Sequence, residues 1–107
     1  MEGLEITPAE VKARLDRNET LLLVDVREPW EFEMCHIDGA KLVPLGSVAS
    51  SLQMIEAAED VVVYCHHGRR SLDAVAWLRQ QGVEGARSMA GGIERWSREI
   101  DPKVPRY

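Results

Sequence analysis

Cysteine is scarce in this sequence: two among 107 residues, Cys35 and Cys65. One pair cannot lay out the disulfide framework of a small secreted domain, and in a reducing compartment a cysteine in a polar loop reads as reactive rather than structural. Long apolar runs are missing too. None approaches the ~20 residues that span a bilayer, and nothing near the start resembles a signal peptide, so the expected location is the cytoplasm, with no membrane partner. Positive charge is in the minority, with 13 Lys and Arg against 18 Asp and Glu and a formal charge of −5. That balance argues against a general binder of nucleic acid or membrane surfaces. There is no internal repeat, low-complexity tract or linker, and the length leaves room for one core only. We expect a single domain over residues 1–107, with its core at about 5–100 and an extension at 101–107.

Against this plain background one stretch stands out, Val61-Val62-Val63-Tyr64-Cys65-His66-His67-Gly68-Arg69-Arg70-Ser71. Four apolar residues without polar alternation predict a strand buried on both faces, as in a parallel sheet. Leu72 to Gln81 then reads as a helix ended by Gly82. Cys65 therefore sits where a strand gives way to a helix. The five residues from His66 to Arg70 can fold back over its sulfur, with backbone N–H groups and the positive end of the helix pointing inward. A free thiol near pKa 8.5 is mostly protonated at neutral pH, and such surroundings favour the thiolate. By default a cysteine after an apolar strand is an inert core residue. A core, however, has no use for His-His-Gly-Arg-Arg, and the loop turns the reading towards a nucleophile.

The rest of the chain supplies a scaffold for it. Thr7-Pro8-Ala9-Glu10 has the form of a helix start, a hydroxyl cap followed by proline and then glutamate, leading into a helix to about Asp16. Leu21 to Val26 is a second buried strand, with Asp25 near its carboxyl end. Pro29 opens a helical turn carrying Trp30 and Phe32, Ala40 to Val43 is a shorter strand before Pro44, and Ser47 to Glu59 reads as helix. A brief strand at Ala86 to Met89, the Gly91-Gly92 turn and a helix from Ile93 to Arg98 complete the pattern. Trp96 and Ile93 are expected to pin that last helix. The tail from Asp101, with Pro102 and Pro105, looks like a surface extension. Strands alternating with helices indicate an α/β fold, an open sheet covered by helices on both faces. Sites in such folds gather beyond the carboxyl ends of the strands, where Asp25 and Cys65 both fall.

Four segments, in order, resemble the rhodanese-like sulfurtransferases of the stand-alone single-domain type. They are Val24-Asp25-Val26-Arg27-Glu28, His36-Ile37-Asp38-Gly39-Ala40 leading to Pro44, the loop from Cys65 through Gly68 to Arg70-Ser71, and Gly91-Gly92-Ile93 with Trp96. The resemblance covers nearly the whole chain. It implies a five-stranded, mostly parallel sheet, a persulfide-forming Cys65, and supporting roles for Asp25 and Arg27. One position departs from the family pattern: Cys35 stands where glycine usually precedes the His-Ile pair. We read it as a small buried residue rather than a resolving thiol.

Loop length sharpens the chemistry. Phosphatases and arsenate reductases that share the fold place five residues between cysteine and arginine, whereas four separate Cys65 from Arg70. Five residues beyond the cysteine comes Ser71, which cannot supply a bidentate guanidinium to an equatorial phosphate or arsenate. A narrower cradle suits one extra sulfur atom. The expected activity is that of a thiosulfate sulfurtransferase. Cys65 takes the outer sulfur of thiosulfate or a similar small anion and passes it to cyanide, a thiol or a protein acceptor. Arg69, Arg70, His66 and His67 would attract the dianion and stabilise the leaving sulfite. Asp25 would cap the following turn, fix the loop's arginines, or both. No metal or cofactor is expected, because Cys35-His36 and Cys65-His66-His67 lack the spacing that brings paired ligands to one zinc ion. Two alternatives remain at this stage: a non-enzymatic interaction or regulatory module, and a relay protein fed by a partner's persulfide.

Overall fold

The computed structural model describes residues 3–107 of the chain. Its elements run β1 (Glu5–Ile6), α1 (Pro8–Asp16), β2 (Leu22–Asp25), α2 (Pro29–Met34), β3 (Lys41–Leu42), α3 (Leu52–Glu56), β4 (Val61–Tyr64), α4 (Arg69–Gln80), β5 (Ala86–Met89) and α5 (Gly92–Glu99). Two short 3₁₀ turns, Leu45–Ser47 and Ala49–Ser51, precede α3. The five strands form one all-parallel sheet in the order β1-β5-β4-β2-β3. No helix among the described residues is long and apolar enough to cross a membrane.

The capping box that the sequence predicts for α1 is in place: Thr7 Oγ1 accepts from Glu10 N–H at 3.1 Å, and Glu10 Oε1 accepts from Thr7 N–H at 3.2 Å. At the centre of the sheet every residue of β4 is buried. Its side chains alternate between two cores, as the two-residue period of a strand requires. Val61, Val63 and Cys65 join the cluster containing Ile55, Ala74, Val75 and Leu78 of α3 and α4. Val62 and Tyr64 join the other, with Val11 of α1 and Ile93 and Trp96 of α5. Full burial of a valine is worth roughly 1.5–3 kcal/mol over leaving it exposed, so this strand is a well-anchored platform.

Strand order fixes where a site can form. From β2 the chain moves outward to the edge strand β3, whereas from β4 it moves the other way, to β5. The segments leaving the carboxyl ends of β2 and β4 therefore diverge, and such a reversal of direction is the usual binding position in an open parallel sheet.

Several elements differ from the sequence expectation. The two-residue β1 is too short to carry a periodic signal. Helix α3 occupies only Leu52–Glu56 of the expected 47–59. Ser50 Oγ bonds to Ser47 O at 3.0 Å, an example of the local hydroxyl-to-backbone bonding that competes with a regular helix. Helix α4 begins at Arg69 rather than Leu72, because Gly68 adopts φ +105° and turns the chain directly into the helix.

Candidate active site

Cys65 follows the last residue of β4 and is 1% exposed. Gly68 N–H points at its sulfur from 3.1 Å and Ser71 N–H from 3.3 Å. These amides belong to the start of α4, so they combine direct donation with the positive end of the helix. As a thiol, Cys65 donates to Ser71 Oγ at 3.4 Å, and that hydroxyl lies 2.7 Å from Ser88 Oγ at the end of β5. The thiol proton thus faces a pair of hydroxyl groups. Ser88 escaped the sequence reading, because a serine in a short strand carries no signal of its own.

The loop is held from outside by α5. Ile93 N–H donates to Cys65 O at 2.9 Å and Glu94 N–H to His66 O at 3.0 Å. The first free amides of α5 therefore take up the loop's carbonyls and turn them away from the sulfur, while loop amides turn towards it. Gly91 and Gly92 adopt φ +77° and +61°, and a Cβ at Gly92 would run into the carbonyl oxygens of both Cys65 and His66. The double glycine marked in the sequence as a turn is thus the surface on which the reaction loop rests.

Charge is arranged differently from the sequence expectation. Asp25 does not fix the loop's arginines. It binds Arg27, accepting from Nε at 2.9 Å, from Nη2 at 2.6 Å and from the Arg27 backbone N–H at 3.0 Å. Both side chains are completely buried. Burial opposes the Arg27 charge, but the bonds to Asp25 and Tyr107 outweigh it and push its pKa up. The carboxylate that holds Arg70 is Glu31 of α2, through a two-pronged pair at 2.8 and 3.0 Å. Glu31 also accepts from Glu28 N–H at 2.9 Å and from the Tyr107 hydroxyl at 2.6 Å. Burial alone would raise its carboxyl, yet these donors, Arg70 first, hold it down at about 2. Glu31 was missed because its spacing from Arg70, 39 residues, leaves no local trace.

Residues 101–107 lie at the surface, none of them buried, and fold back against the site. Val104 O accepts from Ser97 Oγ at 2.5 Å, Pro105 O accepts from Cys35 Sγ at 3.4 Å, and Arg106 pairs with Glu94 at 3.0 Å. Tyr107 then lies flat on His66, centroids 3.9 Å and planes 6° apart, and His66 in turn stacks on His67. Burial and the adjacent His67 lower the pKa of His66, so its ring is neutral near pH 7 and adds no charge to the loop. His67 and Arg69 are exposed at the rim.

His66, His67 and Glu94 bring donor atoms within 4.8 Å of one another. The two rings lie face to face at 27°, and Glu94 is engaged by Arg98 and Arg106. Cys35 lies on the α1/α5 side of the sheet, in the wall of a cavity of about 590 Å³ lined also by His36, Trp96 and Val104. Cys65 packs on the other side. The Cys35 backbone is extended, with φ −167°, a conformation open to any residue, so cysteine is accommodated where the family usually has glycine.

The chain is 37% identical to a sulfurtransferase of Allochromatium vinosum over 100 residues, covering 94% of both proteins. It is 36% identical over 108 residues to the probable adenylyltransferase/sulfurtransferase MoeZ of Mycobacterium tuberculosis; the match takes in 99% of this chain but spans only 28% of that protein. Among solved structures, the human single-domain sulfurtransferase TSTD1 superposes with a TM-score of 0.81 at 28% identity, covering 91% of this chain and 97% of the human one. Residues 7–99 match the Rhodanese-like domain family, and the chain belongs to that family.

Proposed function

We propose that this chain transfers sulfane sulfur as a persulfide carried on Cys65, in a reducing, cytoplasmic setting that keeps the thiol free. The observation that carries the proposal is the convergence of the Gly68 and Ser71 amides on one buried sulfur. Donors aimed at a single atom stabilise negative charge there, which favours the Cys65 thiolate both as the attacking group and as the group released when the sulfur is passed on. With thiosulfate as donor, the thiolate attacks the outer sulfur. The bond between the outer sulfur and the sulfonate sulfur breaks, and sulfite departs with its electron pair. Cyanide or a thiolate then attacks the terminal sulfur, and the Sγ–S pair returns to Cys65. No external oxidant or reductant is consumed.

Arg69 and His67 at the rim attract the anion, and Arg70 exchanges part of its pairing with Glu31 for the sulfonate oxygens. Asp25 and Arg27 support the site from below, by fixing the turn that carries α2 and Glu31. The intact loop speaks against a non-enzymatic module. A relay fed by a partner's persulfide is the second reading. It is favoured by the pairing of Arg70 with Glu31, which leaves less free charge for a small dianion, and by a similar protein whose name couples adenylyl and sulfur transfer.

Intact mass after brief exposure to thiosulfate tests the proposal. We expect a gain of one sulfur atom that is lost on adding cyanide and absent in Cys65→Ser. Folded protein that gains no sulfur would overturn the thiosulfate route. Rapid loading from a protein persulfide under the same conditions would then establish the relay.

A further inference from the structure

One side chain that the sulfur chemistry does not use ties the reaction centre together. The Tyr107 hydroxyl accepts from Arg27 Nη1 at 2.7 Å and donates to Glu31 Oε2 at 2.6 Å, the carboxylate that also holds Arg70. Burial and the bond to Glu31 push the Tyr107 pKa up, so the phenol keeps the proton it donates. Its ring covers His66 and meets Trp30 edge-on at 6.0 Å. The preceding residues are fastened at Val104, Pro105 and Arg106, so the ring is presented by an anchored segment.

His66 shows what this contact does. Its Nε2 is buried without a hydrogen-bond partner, an unfavourable position for a polar nitrogen that solvent would otherwise satisfy. The ring is therefore placed by the aromatic surfaces on its two sides rather than by bonds of its own. His66 directly follows Cys65, and its carbonyl is one of the two that α5 grips. A shift of this residue is passed straight to the loop that surrounds the sulfur.

We propose that Tyr107 is a positioning residue for sulfur transfer: its hydroxyl aims Glu31 and hence Arg70, and its ring fixes His66 beside Cys65. This rests on the persulfide reading of Cys65. The charged and titratable groups that face His66 are His67 on the loop, Glu31 from α2, Arg70 from α4 and Glu94 from α5. Removing the ring admits water to Nε2 and returns the imidazole towards its ordinary value of about 6.5.

Tyr107→Phe and Tyr107→Ala separate the two halves. Two readouts are taken: thiosulfate:cyanide kinetics from pH 5 to 8, and the NMR titration of His66, assigned by comparison with His66→Asn. The Phe variant keeps the low His66 titration but raises the thiosulfate KM about three- to tenfold with kcat little changed. The Ala variant does the same, raises the His66 titration, and adds a protonation step to kcat/KM between about pH 5 and 7. Rescue of the ring's effect, but not the hydroxyl's, by Phe is not produced by general loosening of the tail. A His66 titration and thiosulfate KM unchanged in Tyr107→Ala would overturn the proposal. If that variant does not fold, an unchanged KM in Tyr107→Phe overturns it instead. The titration needs no sulfur chemistry, so absence of turnover in the unaltered chain removes the persulfide reading while His66 still reports on Tyr107.

Discussion

Two neighbouring strands, β2 and β4, end in buried polar groups, and they use them in opposite ways. After β2, Arg27 spends its donors on Asp25, Tyr107 and the Cys35 carbonyl, the last at 2.6 Å. Each charge has a partner and neither side chain meets solvent. After β4, two backbone amides converge on a single sulfur that is not consumed by any ion pair. The first arrangement is closed, and its removal should be felt as lost stability. The second leaves its sulfur without a charge partner, and on the persulfide reading its removal should be felt as lost chemistry.

The sharpest way to break this contrast is to exchange one atom in each region. Asp25→Asn leaves a fully buried guanidinium short of its counter-charge, which should cost about 3–5 kcal/mol and lower Tm by more than about 10 °C. Cys65→Ser should reduce sulfur transfer to background while moving Tm by less than about 5 °C, since the hydroxyl can take the same amide bonds. Thermal melts beside a thiocyanate assay decide both. An active Cys65→Ser, or an Asp25→Asn as stable as the parent, would dissolve the distinction.

Gly92→Ala should fall between the two. The added methyl group meets the carbonyls of Cys65 and His66 at a positive φ, so we expect a destabilisation of about 1–3 kcal/mol and a loss of kcat disproportionate to it. Urea unfolding and single-turnover kinetics on the same sample measure the two effects.

Acid sharpens the comparison further. Glu31 takes up its proton at about 2 when folded but near 4.5 when unfolded, so the unfolded chain binds protons first as pH falls. Its stabilisation is complete above about pH 4.5 and is lost towards pH 2. His66 acts in the same sense higher up: its folded pKa is lowered, so below about pH 6.5 the unfolded chain takes up a proton that the folded chain resists, and stability falls. Urea midpoints should fall with pH in both ranges, and Glu31→Gln should flatten only the lower one. The smallest expected effect is that of Arg70→Ala, about a tenfold loss of kcat/KM for thiosulfate, mostly in KM. An unchanged value would remove Arg70 from donor binding.

How much of this was legible in the residues follows from distance along the chain. The cradle was readable because it is local: a four-residue apolar run, Cys65, Gly68 and a helix lie within 20 residues, and backbone geometry does the rest. The capping box at Thr7 was readable for the same reason. Glu31, Ser88 and Tyr107 were not, because each acts across the fold, and an isolated glutamate, serine or tyrosine has no pattern. The surface position of the Pro102 and Pro105 tail was readable, but two prolines exclude a helix without saying where an extended segment docks. At Cys35 the departure from glycine was visible, but its harmlessness depends on a backbone angle that residue identity does not reveal.

The grip of α5 on the loop has a consequence in time. The amides of Ile93 and Glu94 secure the carbonyls of Cys65 and His66 from almost 30 positions later in the chain. During synthesis, therefore, Cys65 emerges well before the helix that holds its loop, and the geometry around its sulfur is complete only once α5 has formed.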